Sequence, residues 1–600
     1  MFDQARQADS LFTSMLNSFN HIPPGPVHLV RFIPQLVLPS FLLYASSKLG
    51  LEVPFAWLLP AVALATPGLY KALIWYKLWR VTREAEKLGA RVVPIVQRSS
   101  RELIQHAVKA LKQGYPGILD EFAEGYGTVF GLRVLTETRI VTFEPEHVKA
   151  ILASQFETFD KGHIFKSHMH SLFGNGVFNS DGDLWKFHRT LSRPFFSRER
   201  VNDHPNLLPT ADKALRIASA RLSEGHAFDL QDLAMRYTLD VSTQFLLGNS
   251  VHSLDGGLAY PHIISSPSSS AQLDKDPATA FGVALSEGTY LSADRSKYGA
   301  HWPLAEFWKD EVKARRDVID AFIEPHLKRV LSNVEEKRAS GSVDQADVED
   351  QTLVECLARQ TPDGTLIKDE LANFLIAGRD TTAATITFSV YMLSQYPAIA
   401  ERVREEVLSR LRGGKQPTPE DVKEMKYLRA FINEVLRLYP PVPYDSRMSS
   451  KATLWPSPTP GGKPFYVPAK SKILYSMWYM HRSTKLWGPD ALEFDPDRFL
   501  DDRLHRYLTP NPYMFIPFNA GPRICLGMQF AYNMSSIFLI RLLQRFENIR
   551  LALDAQPPGS LPPAEWATED RPLDPRKAEE KVSPKTSINM SVKGQYGVEF

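Results

Sequence analysis

The run Phe518-Asn519-Ala520-Gly521-Pro522-Arg523-Ile524-Cys525-Leu526-Gly527 holds one of only two cysteines in a chain of 600 residues, in a glycine-rich turn two residues after an arginine. Glycine tolerates the close approach and unusual dihedrals that let backbone N–H groups face a sulfur. Those donors, with Arg523 nearby, favour a thiolate over a thiol. Met528 through Leu543 reads as a helix, so the sulfur sits near a helix N-terminus, where the dipole favours negative charge. A thiolate in this setting can act as a nucleophile, a zinc ligand or an axial haem ligand. An inert buried cysteine is the plain alternative.

Outward from this turn, composition narrows the field. Hydrophobic content of 44% and charged content of 23% are ordinary for a globular protein. A net charge of +2 gives no warrant for nucleic-acid binding. Two cysteines build no disulfide framework, which points to a reducing compartment. Cys356, in a helical-looking run, reads as a small core residue.

The N-terminus has a different character. Phe32 to Ser47 is free of charge, and Pro54 to Tyr70 is again uncharged and mostly apolar. The second run is about 17 residues long, the lower limit for a membrane-spanning helix, with prolines at 54, 60 and 67 predicting kinks. Lys71, Lys77, Arg80, Arg83, Lys87 and Arg91 follow it, so the positive-inside rule places the bulk of the chain in the cytoplasm. Trp57, Trp75, Tyr76 and Trp79 suit an interfacial belt. The plain alternative is a buried helix pair.

Beyond Arg91 we find no strong linker or repeat. Thr128–Val134 and Arg139–Phe143 read as a short hairpin. Most of the remainder has helical periodicity. Gly256–Lys297 and Ala555–Pro584 read as irregular, and Ser587–Val592 as a final strand.

Four further patterns carry chemistry. Ala377-Gly378-Arg379-Asp380-Thr381-Thr382 lies inside a helical run from about Leu366 to Gln395, ended by Pro397. A glycine there costs about 1 kcal/mol against alanine, which calls for a reason beyond helix formation. An adjacent acid and hydroxyl can relay protons, although Asp380 in an ion pair is the plainer reading. Glu434 and Arg437 are three apart on one helix face. Trp185 and Arg189 are four apart, and an arginine fork suits carboxylates. Between them His188 reads as a satisfied or exposed histidine. Arg447 follows a proline-rich turn.

Together these patterns resemble the cytochrome P450 family. Phe-x-x-Gly-x-Arg-x-Cys-x-Gly is matched at Phe518, Gly521, Arg523, Cys525 and Gly527, and the resemblance covers roughly Arg91 to Phe600. It implies a mainly α fold with a minor β region, with a membrane anchor region at 1–90 and a haem-thiolate catalytic domain at 91–600. By the resemblance the cofactor is haem b, held in a loop that includes Phe518 and Gly527, with Cys525 as the axial iron ligand. Asp380 and Thr381 match the proton-delivering acid–alcohol pair. Trp185, Arg189, Arg447 and Arg523 match positions that hold the haem propionates. Glu434 and Arg437 lock structurally to Arg498, in Phe494-Asp495-Pro496-Asp497-Arg498-Phe499.

The implied reaction inserts one atom of O2 into a C–H bond of an apolar substrate. No Gly-x-Gly-x-x-Gly follows a strand, so electrons come from a separate protein, which the resemblance implies is an NADPH-dependent flavoprotein reductase on the same membrane, the endoplasmic reticulum, with the catalytic domain facing the cytoplasm. Phe156–Gly162 and Pro194–Arg200 look like fungal alkane and fatty-acid hydroxylases, which implies hydroxylation at or near the chain end. Oxidation of aromatic hydrocarbons or xenobiotics is the alternative substrate reading. A non-catalytic haem-binding protein and a reductase-independent isomerase or peroxide-using enzyme are the alternative classes. Two features depart from the pattern: Pro23-Pro24-Gly25-Pro26 precedes both apolar runs instead of following them, and the two irregular stretches are long.

Overall fold

The computed structural model describes residues 23–30, 48, 55–134, 137–202, 205–262, 264, 276–339, 352–568, 574–594 and 597–599. At its centre lies the helix Gly364–Gln395, hereafter the long helix. Asp363 caps it by accepting from the Thr365 and Leu366 N–H groups, and it stops before Pro397. Leu371, Leu375, Ile386, Phe388 and Val390 are fully buried, so the long helix is apolar nearly all round, the signature of a helix inside a large core. It packs against Leu230–Leu247 and Met528–Arg545, whose apolar faces share the same core.

Among the described residues the β structure is minor and divided into four small sheets. A five-stranded sheet runs in the spatial order Val129–Val134, Glu137–Thr142, Lys472–Ser476, Tyr444–Ser449 and Phe159–Asp160. The second and third strands are parallel and the other pairs antiparallel, with Arg447 opposite Ile473. The first two strands are the hairpin expected from alternation.

Two expectations are corrected. The stretch expected to be irregular before Lys297 contains the helix Pro277–Asp294, started by Asp276 accepting from the Thr279 N–H, with proline at its first position. Its Ala, Gly, Ser and Thr content hid the apolar stripe; the Asp-Pro start was the available signal. Ser265–Ser270 lies outside the described residues. Of the run Ser587–Val592 only Met590–Val592 is a strand, in a hairpin with Pro584–Thr586, and the last described strand is Gly597–Glu599, paired with Phe228–Asp229 and Arg550–Leu551. Ala555–Pro584 is largely irregular in its described part, as expected, yet it buries Trp566, Asp574, Arg576 and Glu580.

At the N-terminus, Phe32–Ser47 lies outside the described residues. Phe55–Lys87 is one uninterrupted helix of 33 residues. Among the described residues, no helix is long and apolar enough to cross a membrane.

Candidate active site

The cysteine turn is built from two left-handed residues. Asn519 and Gly521 have φ of 62° and 65°. A Cβ on Gly521 would stand 1.9 Å from the Leu152 carbonyl oxygen, so glycine is required twice over, by conformation and by space. The Cys525 N–H donates to Phe518 O at 2.9 Å and the Ile524 N–H to Gly521 O at 3.0 Å, closing the turn before Met528–Arg545 begins. Cys525 keeps accessible surface, although enough protein surrounds its thiol to desolvate it. Burial pushes its thiol up; the Gly527 backbone N–H and the Arg189 charge pull it down, and burial wins.

That result corrects the expectation about the cation. Arg523 faces away from the sulfur: its guanidinium stacks 4.4 Å from the Trp185 ring and donates to Ser180 O at 3.2 Å and Asp181 at 3.0 Å. The charge acting on the sulfur is Arg189, whose Nη2 donates to Ile524 O at 2.6 Å. Arg189 and the buried Trp185 come from the helix Gly182–Ser192.

Beside Arg523 a dense charge cluster forms. Arg447 is buried and donates to Asp445 at 2.8 Å, and Lys161 donates to the same carboxylate at 3.2 Å. Asn519 Nδ2 and Tyr475 OH also donate to Asp445, at 2.9 and 3.0 Å. Asp445 is held well below the usual carboxylate range because the Arg447 and Lys161 charges outweigh its burial. Lys161 falls to about 8, by burial and then the neighbouring Arg447 charge. Arg523 falls to about 10 for the same two reasons. Lys161, Asp445 and Asp181 were missed as site residues, because only the tertiary fold brings three separate segments together here.

In the middle of the long helix, Gly378 meets helix Leu230–Leu247: a Cβ there would stand 2.8 Å from Ser242 Oγ. The costly glycine is thus explained by a close helix crossing. Thr381 Oγ1 donates back to Ala377 O at 2.6 Å. Asp380 is buried and paired with Arg379 at 2.7 Å, as the ion-pair reading held. The same Arg379 nitrogen donates to Ser286 Oγ at 2.7 Å, on helix Pro277–Asp294.

Glu434 and Arg437 are fully buried and joined by two hydrogen bonds of 2.7 Å. Arg437 further donates to His481 O at 2.7 Å, Ala491 O at 2.5 Å and Glu493 O at 3.0 Å. Arg498 Nε approaches Glu434 at 3.5 Å, too long for a hydrogen bond but close enough to share the charge.

Comparison with known proteins decides what this constellation is. The family model described as Cytochrome P450 matches residues 100–562. The chain belongs to the cytochrome P450 family. It is 34% identical over 440 residues to the cytochrome P450 monooxygenase pvhE of Talaromyces variabilis, covering 70% of this chain and 75% of that one. To cytochrome P450 52A3-A of Candida maltosa it is 33% identical over 449 residues, covering 72% and 79%. To cytochrome P450 52-E3 of Starmerella bombicola it is 35% identical over 423 residues, covering 69% and 76%. The crystal structure of the cytochrome P450DA heme domain superposes with a TM-score of 0.63 at 18% identity, over 85% of this chain and 97% of that one. This P450 is accordingly a monooxygenase with haem as its cofactor.

The residues present fit the haem. Cys525 is a free cysteine with accessible surface. Lys161, Arg447 and Arg523 are gathered at one place, where burial first and the Arg447 charge second lower Lys161 and Arg523, and the buried Arg523 Nε has no protein partner. A cation-rich set of this kind suits a dianionic edge.

Proposed function

We propose that this P450 hydroxylates fatty acids or n-alkanes at or near the chain end, with Cys525 as the thiolate that holds the haem iron. Bound there, haem iron supplies O2 activation and transfer of one oxygen atom to a C–H bond, the other atom leaving as water. The observation that carries the reading is the cysteine turn itself: a free, accessible cysteine in a tight glycine turn, with Arg189 braced on the residue before it. Coordination to a cation deprotonates a thiol outright, which overcomes the upward push of burial on Cys525.

Trp185, Arg189, Arg447 and Arg523 are the residues we assign to the propionates, with Phe518 and Gly527 shaping the ligand loop. Asp380 and Thr381 are the proton-moving pair. For Asp380 to pass a proton it must leave Arg379 or share it, and Thr381 must turn its hydroxyl from Ala377 O. The fatty-acid or alkane class rests on the likeness of Phe156–Gly162 and Pro194–Arg200 to fungal hydroxylases. Phe156 lies 5.4 Å from Trp185, and Phe196 5.3 Å from Phe374 of the long helix, so both segments border the site.

We assign the electrons to an NADPH-dependent flavoprotein reductase, and the location to the endoplasmic reticulum membrane with the catalytic domain in the cytoplasm. The apolar start of helix Phe55–Lys87 and its exposed Trp75, Tyr76 and Trp79, followed by cations, support attachment through this helix. The test is a microsomal preparation given dodecanoic acid or dodecane, reductase and NADPH. A hydroxylated product with a substrate-induced spectral shift is expected; neither product nor shift with either compound refutes the substrate class. Release of the protein by alkaline carbonate would refute the anchor.

A further inference from the structure

His188 has no role in the chemistry above, yet it is fully enclosed. Its Nδ1 lies 2.7 Å from Glu370 Oε1, and neither side chain has accessible surface. Glu370 stands on the long helix, and its second oxygen accepts the Val177 N–H at 2.9 Å. Its neighbours grip the same segment: Asp369 accepts the Asn175 N–H at 2.8 Å, and Asn373 accepts the Phe178 N–H at 3.0 Å and donates to Phe173 O at 2.9 Å. Two glycines permit the approach. A Cβ on Gly174 would stand 2.0 Å from Asp369 Oδ2, and one on Gly176 2.5 Å from Asn373 Nδ2.

These ties pin 173–178 to the long helix, but Glu370 alone reaches past them to helix Gly182–Ser192. Among the described residues, His188–Glu370 is the one imidazole–carboxylate or other charged-group contact that joins those two helices, a close approach of Nδ1 and Oε1 without hydrogen-bond geometry. The residue after His188 is Arg189, which braces Ile524 beside the cysteine. A turn or slide of this helix would move both side chains at once, and it would strand a fully enclosed carboxylate, which is costly.

We propose that His188 and Glu370 are a positioning pair that sets the rotation and depth of helix Gly182–Ser192, and thereby whether Arg189 reaches the Cys525 loop. This rests on the reading of Cys525 as the iron ligand. It assigns Glu370, ten residues from Asp380 on the long helix, to the thiolate side of the site.

The test uses the full-length, haem-loaded protein and two readouts, the thiolate-type fraction of its reduced carbon monoxide spectrum and its reduction potential. Glu370→Ala is expected to shift the ratio of thiolate-type to non-thiolate absorbance by about tenfold, a size typical of coupling between groups in contact. Arg189→Gln should give a similar shift, and the double variant should be no worse than Arg189→Gln alone, because both act through one contact. Glu370→Gln, which keeps the acceptor for the Val177 N–H and the bulk packed against His188, should restore most of the signal. Effects that multiply in the double variant, or a Glu370→Ala protein with parental spectrum and potential, overturn the proposal. Should Glu370→Ala fail to fold, His188→Phe in the same cycle decides by the same criteria. Cys525→Ser separates the two levels: a thiolate-type spectrum surviving in that variant refutes the ligand reading itself.

Discussion

Replacing Glu434 by glutamine tests whether the Glu434–Arg437–Arg498 group holds the fold as a buried charge set. The carboxylate takes both Arg437 hydrogen bonds, faces Arg498 at 3.5 Å and accepts the Asp495 N–H at 2.9 Å. Taking one partner out of a buried pair costs about 3–5 kcal/mol, because an uncompensated charge is left behind. Two terms reduce this. Glutamine still offers an oxygen, worth about 1 kcal/mol as one retained hydrogen bond, and Arg498 keeps Asp490 at 3.1 Å. A net loss of about 2–4 kcal/mol remains, a large part of a total stability of about 5–15 kcal/mol. Urea unfolding followed by far-ultraviolet circular dichroism and by haem absorbance measures it. A loss below about 1 kcal/mol, the value of an exposed ion pair, would refute the reasoning. Replacing both partners with apolar residues, Glu434→Leu with Arg437→Met, should cost less than the two single changes added.

Three other outcomes are expected. Gly378→Ala should destabilise by about 1–3 kcal/mol through its contact with Ser242 Oγ; combined with Ser242→Ala it should recover, since alanine favours the helix by about 1 kcal/mol, and no recovery would place the strain elsewhere. Asp380→Asn should lower kcat by about 10²-fold or more while leaving the substrate-induced spectral shift in place, and a parental kcat would remove Asp380 from the proton path. Burial, and then the nearby Asp574 charge, push Asp120 up to about 7. A carboxyl raised on folding contributes stability that is whole below about pH 4 and lost as pH rises through about 7. The denaturation midpoint of the parent should therefore fall across that window relative to Asp120→Asn; parallel pH profiles would refute this.

Local patterns carried much of the site. The cysteine turn, the acid–alcohol pair inside a helix and the Glu434–Arg437 spacing each involve residues within one turn of one another, so their geometry follows from φ, ψ and the helical repeat. The family followed from their order along the chain. Helix Pro277–Asp294 was not legible because its small and hydroxylic residues show no clear stripe, and the final hairpin was hidden by a turn inside a strand-like run.

What the sequence determined by itself was the family, through the order of its motifs, and the residues we propose for the chemistry: the loop around Cys525, the pair Asp380 and Thr381, and the arginines assigned to the propionates. What only the tertiary structure decided was which charge meets which group. Two residues from Cys525, Arg523 turns to Trp185 and Asp181, while Arg189, more than three hundred positions earlier, reaches the loop. The joining of Glu370 to His188 was likewise beyond reach of the sequence. The reason is physical: local spacing dictates direction only within a helix or a tight turn, whereas contacts between elements depend on how the core packs.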